Sequence, residues 1–339
     1  MPTFAIGVDL GGTNLRIAAV DEHGTLLEKT TTGTQVARGR DFVINEMCEA
    51  IRAAVTKFPT STLVGIGIGV PGIIDMGTGM LRESPNLPGW HDYPVRDEIE
   101  RRLGTKVILE NDANSAALGE KWLGAARDYD DMLMLTLGTG VGGGIVFGGR
   151  VWHGARGMAG EPGHITVEPD GPPCPCGNRG CLEQLASATA VVRMAREAIA
   201  RGSSPALAQA AEASDGLSAQ SVYQMAVQGD NSAQQIYRRV GWALGIGLAG
   251  LINLLNLPIY VIGGGGANAW DAFLPALLEE VRKRSFVYRA TAPEDASGPG
   301  EKTIITRARL GGDAGLFGAA RLPMLAAETA ADAGVRWRA

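Results

Sequence analysis

The stretch VDLGGTNLRIAAVDEHG, residues 8–24, and the stretch TLGTGVGGGIVFGGR, residues 136–150, share one design. Each reads as an apolar strand, a loop of glycine and threonine, a second apolar strand and a tight turn. A design that recurs after about 130 residues predicts two related subdomains, each presenting a glycine-rich loop to a common cleft.

The domain organisation follows from this repeat and from the alternation of strand and helix patterns, which predicts α/β layers. The chain has 339 residues, which suits two domains of ordinary size. We expect a small α/β domain over 1–110, joined by a C-terminal helix over 313–325, and a large α/β domain over 111–312. Residues 286–302 are predicted to be a loop or insertion, and 326–339 a peripheral tail.

Composition and charge exclude several classes of protein. Hydrophobic residues make up 45% and charged residues 20%, which is the balance of a soluble globular protein. The formal net charge is −5 and no basic stripe is visible, so we expect no nucleic-acid partner. The N-terminus lacks the basic start of a signal peptide, so we expect a cytoplasmic protein.

The most apolar stretch, residues 240–262, has the length of a membrane span. Asn253, Asn256 and Pro258 interrupt it, and hydrocarbon disfavours such residues. We therefore predict a buried helix followed by a buried strand, and no membrane partner.

The dinucleotide-binding pattern G-x-G-x-x-G occurs twice, at Gly138, Gly140 and Gly143 and at Gly67, Gly69 and Gly72. A dinucleotide site needs a helix directly after this pattern, because the pyrophosphate rests on the helix N-terminus. The first match continues instead as a hairpin, and Pro71 breaks the second. A nicotinamide-dependent dehydrogenase is thus excluded, and the Walker pattern G-x-x-x-x-G-K-[ST] is absent from the sequence.

Loops between antiparallel strands remain as the interpretation of the glycine clusters. Backbone N–H groups can approach phosphate oxygens where no Cβ intervenes, and Thr13 and Thr139 add hydroxyl donors. Asp9 stands where the first strand ends, a position suited to hold Mg²⁺ or its waters. The alternative is that these glycines only form tight hairpins.

Three of the four cysteines fall within eight positions, at Cys174, Cys176 and Cys181. A C-x-C pair is a poor disulfide and a good chelate, and His164 upstream completes a Cys₃His set that suits a closed structural Zn²⁺. The alternative is a loop of incidental cysteines. Cys48 falls on the apolar face of a predicted helix and is assigned to the core.

Asp112 is the candidate catalytic group. The segment KVILEND places it just past a predicted strand and at the start of a helix, where function often lies in α/β folds. On the sequence alone, a helix N-cap is an equally good interpretation of this residue.

Five motifs occur in order along the chain: DLGGTN (9–14), END (110–112), LGTGVGGG (137–144), EPGH (161–164) and CPCGNRGCLE (174–183). Together they closely resemble the ROK family (repressors, open reading frames, kinases), and within it the zinc-containing sugar kinases such as bacterial glucokinases. The resemblance extends from Ile6 to about Arg321. It implies the actin-like ATPase fold (ribonuclease H-like), with two α/β domains about a central cleft. Asn14 departs from the pattern, since many members carry Lys after GGT.

The resemblance implies ATP-dependent phosphorylation of a hexose at its 6-hydroxyl, most simply glucose, with ATP, Mg²⁺ and a structural Zn²⁺ as cofactors. It assigns the role of general base to Asp112. The implied sugar-binding residues are Asn86, Asn111, Asp112, Glu161, His164 and Glu183. The implied nucleotide-binding residues are Asp9, Gly11, Gly12, Thr13, Asn14, Gly138, Thr139, Gly140, Gly142, Gly143, Gly264 and Gly265.

The resemblance also leaves alternatives. N-acetylglucosamine, N-acetylmannosamine and fructose kinases share these motifs, and a non-catalytic sugar-sensing regulator is an alternative of another class. Family repressors carry a winged helix before the DLGGT strand; only five residues precede Ile6, so we expect no DNA-binding domain. We further expect a glycolytic role and a homodimer or higher homo-oligomer.

Glu161 lies three residues before His164, and Glu183 two residues after Cys181. We therefore expect loss of the metal to disorder the sugar-binding groups first, and to spare the glycine loops, which lie elsewhere in the sequence. The alternative for Glu183 is an acidic residue at a helix N-terminus.

Overall fold

The computed structural model describes residues 1–84, 86–212, 216–294 and 302–332. Its strands are β1 (Thr3–Leu10), β2 (Asn14–Asp21), β3 (Leu26–Gly33), β4 (Thr62–Val70), β5 (Ile73–Asp75), β6 (Met80–Glu83), β7 (Ile108–Asn111), β8 (Met132–Leu137), β9 (Val141–Phe147), β10 (Arg150–Val151), β11 (Ile259–Gly263) and β12 (Ile304–Arg307). Its α-helices are α1 (Arg40–Thr56), α2 (Val95–Leu103), α3 (Asp112–Trp122), α4 (Glu183–Ala186), α5 (Ala188–Ala200), α6 (Pro205–Glu212), α7 (Ala219–Val227), α8 (Asn231–Leu255), α9 (Trp270–Arg284), α10 (Phe286–Thr291) and α11 (Ala314–Asp332).

The chain divides into two compact units. Unit 1 contains residues 1–130, 144–160 and the described residues from 312 onward, and unit 2 contains residues 131–143 and 161–311. The predicted boundary at 110/111 therefore moves to 130/131. The reason is that α3 packs against α11 and belongs with unit 1.

The fold has two five-stranded sheets with matching strand orders. The strand orders are β3-β2-β1-β4-β7 and β10-β9-β8-β11-β12. In the first, β1 pairs antiparallel with β2 and parallel with β4; in the second, β11 pairs parallel with both β8 and β12. The division between the units falls inside β9. The matching orders agree with the predicted repeat and with an α/β fold built from two related units.

The core of unit 1 lies between its sheet and α1. This helix has an apolar stripe at Val43, Ile44, Met47 and Ile51, the spacing that places side chains on one helical face. The stripe packs in one buried cluster with alternate residues of β1, such as Ile6. The intervening residues of β1 point to the opposite side of the sheet, where α11 packs. The sheet of unit 1 is thus covered by helices on both faces.

Gly67 of β4 is required for the contact between this sheet and α11. A Cβ at Gly67 would overlap the carbonyl oxygen of Ala319. We expect Gly67→Ala to destabilise the protein by about 1–3 kcal/mol or more, because the helix must move away from the sheet. Gly250 is a matched control, since it is exposed on α8 and a Cβ there meets nothing within 4 Å.

Thermal unfolding measures both variants. Gly250→Ala should stabilise by up to about 1 kcal/mol, because alanine has the higher helix propensity. A Gly67→Ala protein as stable as the unaltered chain would contradict the packing described for β4 and α11.

The predicted buried helix and strand within residues 240–262 are confirmed. They are the second half of α8 and strand β11, separated by Asn256, which closes α8 in a left-handed conformation at φ 47°. Among the described residues, no helix has the length and apolar character needed to span a membrane.

Two further predictions need correction. The predicted loop over 286–302 begins with a helix, α10, whose N-cap Ser285 accepts a hydrogen bond from the backbone of Tyr288; residues 295–301 lie outside the described residues. The predicted tail over 326–339 begins as helix, because α11 continues through Pro323 to Asp332. Residues 333–339 again lie outside the described part of the chain.

Candidate active site and metal centre

The first glycine loop, residues 11–13, connects β1 to β2 in unit 1. The N–H of Gly11 donates to the carbonyl of Asn14 at 2.9 Å, and the Thr34 hydroxyl donates to the carbonyl of Gly11 at 2.6 Å. A Cβ at Gly12 would lie 2.8 Å from the carbonyl oxygen of Asn86. The structure therefore fixes this loop and places Asn86, a predicted sugar contact, directly beside it.

Asp9, at the end of β1, has a partner that the sequence analysis missed. The Arg16 guanidinium lies 3.2 Å from the Asp9 carboxylate and also donates to the carbonyl of Gly312 at 2.7 Å. Burial raises the pKa of Asp9, and the positive charge of Arg16 opposes this rise. The hairpin register could have revealed the pair, because Asp9 and Arg16 face each other across β1 and β2.

The Asn111–Asp112 turn joins β7 to α3. Asn111 is the N-cap, since its side-chain oxygen accepts from the backbone N–H groups of Ala113 at 2.9 Å and Asn114 at 3.1 Å. Its amide donates to the carbonyl of Gly72 at 3.1 Å. Capping by Asp112 was therefore the wrong alternative: Asp112 is the first helical residue. The side-chain oxygen of Asn111 caps helix α3. A contact between Asn111 and a sugar stays a prediction.

The second glycine loop, residues 138–140, connects β8 to β9 in unit 2 and is the hairpin that the sequence predicted. Gly264 follows β11 at φ 79°, and a Cβ there would lie 2.5 Å from the carbonyl oxygen of Leu137. Gly265 opens a short 3-10 helix at this point. Gly264 and Gly265 are thus next to the strand end from which the second glycine loop begins.

Two of the glycines predicted to bind nucleotide lie elsewhere. Gly142 and Gly143 are residues of β9 rather than of the loop. Gly143 packs against the ring of Pro162, where a Cβ would clash. Close packing of the EPGH segment on the strand accounts for this glycine.

Glu183 links the metal-binding segment to the second glycine loop. It is the first residue of α4, and its carboxylate accepts a hydrogen bond from the backbone N–H of Val141 at 3.0 Å. At the start of α5, the N–H of Ala188 donates to the carbonyl of Gly138 at 2.9 Å. Although far apart in sequence, the two segments are bonded to each other within unit 2.

His164, Cys174, Cys176 and Cys181 form one cluster. Their four ligand atoms all lie within 4.8 Å of one another. The sulfur atoms of Cys176 and Cys181 are 3.7 Å apart, and Nδ1 of His164 is 3.7 Å from the Cys174 sulfur. Tetrahedral zinc with bonds of about 2.3 Å to sulfur would place two sulfur atoms about 3.8 Å apart. The donor set and its spacing fit a zinc ion.

The loop that carries these ligands is braced by backbone contacts. Gly180 has φ 61°, and a Cβ there would overlap the carbonyl of Glu168, so that only glycine fits. The N–H of Val167 donates to the carbonyl of Gly180 at 2.9 Å. The Glu168 carboxylate forms an ion pair with Arg239 of α8. The four ligands are therefore held together by the fold itself.

Glu161 and Glu183 share an electrostatic environment. Desolvation raises the pKa of Glu161; His164 opposes this rise, and the charge of Glu183 adds to it. Two carboxylates near an imidazole can each accept hydrogen bonds from sugar hydroxyls. Nδ1 of His164 faces the cysteines, so Nε2 is the ring nitrogen that can hydrogen-bond to a sugar.

The predicted site residues fall into two groups. Unit 1 contains Asp9, Gly11, Gly12, Thr13, Asn14, Asn86, Asn111 and Asp112. Unit 2 contains Gly138, Thr139, Gly140, Glu161, His164, the three cysteine ligands, Glu183, Gly264 and Gly265. Cys48 is buried in the core of unit 1, as expected.

Comparison with known proteins finds relatives along nearly the whole chain. The glucokinase of Thermotoga maritima is 44% identical over 315 residues, which cover 91% of this chain and 98% of that protein. The ROK hexokinase structure from Thermus thermophilus matches with a TM-score of 0.79 and 35% identity, covering 96% of this chain and 99% of that one. The structure of a ROK family glucokinase from Streptomyces griseus in complex with glucose and AMPPNP matches with a TM-score of 0.76 and 34% identity, covering 94% and 98%.

The ROK family profile matches residues 5–325, nearly the whole length of the sequence. The motifs that suggested this resemblance all lie inside the matched range. The chain therefore belongs to the ROK family.

Proposed function

We propose that this protein is an ATP-dependent glucokinase, which transfers the γ-phosphoryl group of ATP to the 6-hydroxyl of glucose. The observation that carries the proposal is the Asp112 carboxylate at the first position of α3, on a turn capped by Asn111. Similarity to glucokinases over nearly the whole chain supports glucose as the acceptor.

In the proposed reaction, Asp112 accepts the proton of the sugar 6-hydroxyl while that oxygen attacks the γ-phosphorus. A new P–O bond forms to the sugar, the bond from the γ-phosphorus to the bridging oxygen breaks, and ADP leaves. Such transfers depend mainly on positioning and charge stabilisation. At the first position of α3, the Asp112 carboxylate lies at the positive end of the helix dipole.

The two glycine loops supply backbone N–H groups for the phosphates. Asp9 fits a magnesium site, because Mg²⁺ is held by one or two carboxylates together with waters and substrate phosphates. When bound, Mg²⁺ would neutralise phosphate charge. Arg16, paired with Asp9, orients the carboxylate from the neighbouring strand.

Glu161, His164 and Glu183 are proposed to bind the sugar hydroxyls, and the Cys₃His cluster to hold a structural zinc that fixes the loop between them. With four protein ligands the metal has no open position for catalysis. Its proposed role is to keep Glu161 and Glu183 at a constant separation.

Glu161→Ala should raise the KM for glucose by about 10–100-fold, because the sugar loses a hydrogen bond to a charged group. Glu183→Ala should raise the KM for both glucose and ATP, because this carboxylate also holds the second glycine loop through Val141. Steady-state kinetics with each substrate varied in turn measures both effects.

Asp170→Asn is the matched control, since Asp170 is exposed on the same segment. It should leave both KM values unchanged. A Glu161→Ala enzyme with an unaltered KM for glucose would remove Glu161 from the proposed sugar site.

The proposed function is tested by a coupled assay with glucose, fructose, N-acetylglucosamine and N-acetylmannosamine as acceptors, and with ATP or polyphosphate as donor. We expect the highest kcat/KM for glucose with ATP. A higher value for another acceptor would reassign the substrate, and no turnover with any pair would favour a sugar-sensing regulator.

A further inference from the structure

Glu110, the residue before the Asn111–Asp112 turn, is a buried carboxylate with three hydrogen-bond partners. It is only 1% exposed. Its Oε1 accepts from the backbone N–H of Asn111 at 2.9 Å and from Nδ2 of Asn114 at 3.0 Å. Its Oε2 lies 2.6 Å from Nε2 of His153.

A carboxylate in this position is costly to bury unless its hydrogen bonds are satisfied and its charge is paired. The hydrogen bond that Glu110 accepts from His153 raises the pKa of this imidazole, which favours its charged form opposite the carboxylate. An apolar side chain could fill the same space without these requirements. The buried hydrogen bonds of Glu110 therefore call for a role beyond packing.

The partners of Glu110 surround Asp112 along the chain. Asn111 immediately precedes it, and Asn114 lies two residues after it, so one carboxylate oxygen is bonded to both sides of the turn. The other oxygen is bonded to His153, which lies in the segment between β10 and Glu161. Rotation of the turn would break bonds on both sides of Asp112.

We infer that Glu110 is a positioning residue, whose carboxylate, paired with His153, holds the Asn111–Asp112 turn so that Asp112 is directed at the hydroxyl to be phosphorylated. The inference rests on the proposed role of Asp112 as the general base. It adds Glu110 and His153 to the residues that determine turnover, although neither is proposed to touch the substrate.

Glu120 provides a matched comparison on the same helix. It is also a buried carboxylate, at 0% exposure, and it accepts from the backbone N–H of Ala125 at 2.7 Å. It lies eight residues after Asp112, which is about 12 Å along the helix axis. Neutralising Glu120 should affect stability and leave the Asn111–Asp112 turn in place.

The test compares Glu110→Gln, His153→Gln and Glu120→Gln. Glu110→Gln should lower kcat by about 10–100-fold, the size of effect that a small displacement of a catalytic group produces. The dissociation constants for glucose and AMPPNP, measured by calorimetry, should change by less than about 3-fold, since the substitution alters no side chain that is proposed to contact glucose or nucleotide. His153→Gln should also lower kcat, and Glu120→Gln should leave kcat unchanged.

The double variant Asp112→Asn with Glu110→Gln separates positioning from a general loss of structure. If Glu110 acts through Asp112, the second substitution should lower kcat further by less than about 3-fold, because residues that act as a unit are non-additive. A full second loss, an unchanged kcat in Glu110→Gln, or an equal loss in Glu120→Gln would each overturn the inference.

His153→Gln carries the test should Glu110→Gln fail to fold, because the His153 side chain is 33% exposed and tolerates substitution more easily. An unchanged kcat in that variant then overturns the inference. Failure of the proposed function has a different signature, since the unaltered protein would then show no turnover with any substrate pair, and failure of the base role would leave Asp112→Asn with normal turnover.

Discussion

Asp112→Asn is expected to lower kcat by about 10²–10⁴-fold, the usual contribution of a general base. The substitution changes little volume and leaves an oxygen that can accept from the N–H of Ala113, as Asp112 does at 2.9 Å. Helix α3 should form normally, because its N-cap is Asn111. Glucose binding should therefore survive while turnover is lost.

Coupled kinetics gives kcat, and calorimetry gives the dissociation constant for glucose. Asp97→Asn is the matched control, since Asp97 is an acidic residue in the first turn of α2 and its loss removes the same charge from another helix start. Turnover close to that of the unaltered enzyme in Asp112→Asn would exclude this residue as the base.

Loss of the metal centre is the second large effect. Cys176→Ser should remove zinc and abolish or severely impair kinase activity, because the loop between Glu161 and Glu183 loses its cross-link. The purified unaltered protein should contain one zinc per chain. Zinc retention should also fall at acid pH, since thiols and imidazole must be deprotonated to bind.

The structure changes one part of this expectation. The glycine loops were expected to be spared, but Glu183 and the start of α5 are bonded to the second loop. Cys176→Ser should therefore raise the dissociation constant for AMPPNP as well as that for glucose. Cys48→Ala is the control, since Cys48 is buried in the core of unit 1 and is not one of the four clustered ligands, so its loss should leave the zinc content unchanged. Full activity in zinc-free protein would refute the structural role of the metal.

Much of the architecture could be predicted because it depends on local patterns. The two glycine-rich hairpins, the alternation of strands with helices and the C-x-C chelate are each encoded within about 20 residues, where turn chemistry and hydrophobic periodicity act. The predicted ligand cluster was therefore recovered in full, and the helix-then-strand interpretation of residues 240–262 was confirmed.

The remainder depends on contacts between distant parts of the chain. The bond between Glu110 and His153 joins residues 43 positions apart, and that between Val141 and Glu183 joins residues 42 apart. Hydrophobic periodicity along the sequence gives no information about such distant pairs. The predicted C-terminal helix ended at residue 325, whereas α11 continues to Asp332; its Pro323 packs on Gly65 of β4, a contact that only the folded sheet supplies.

The position of α11 has a consequence for synthesis on the ribosome. This helix covers β1 and β4, which are translated first, but it is translated only after the whole of the 161–311 segment. Until α11 emerges from the ribosome, the glycine-lined face of the first sheet lacks its cover. The nascent N-terminal half therefore stays incompletely folded. The second unit can finish folding earlier, so the order of completion is the reverse of the order in which the two sheets begin.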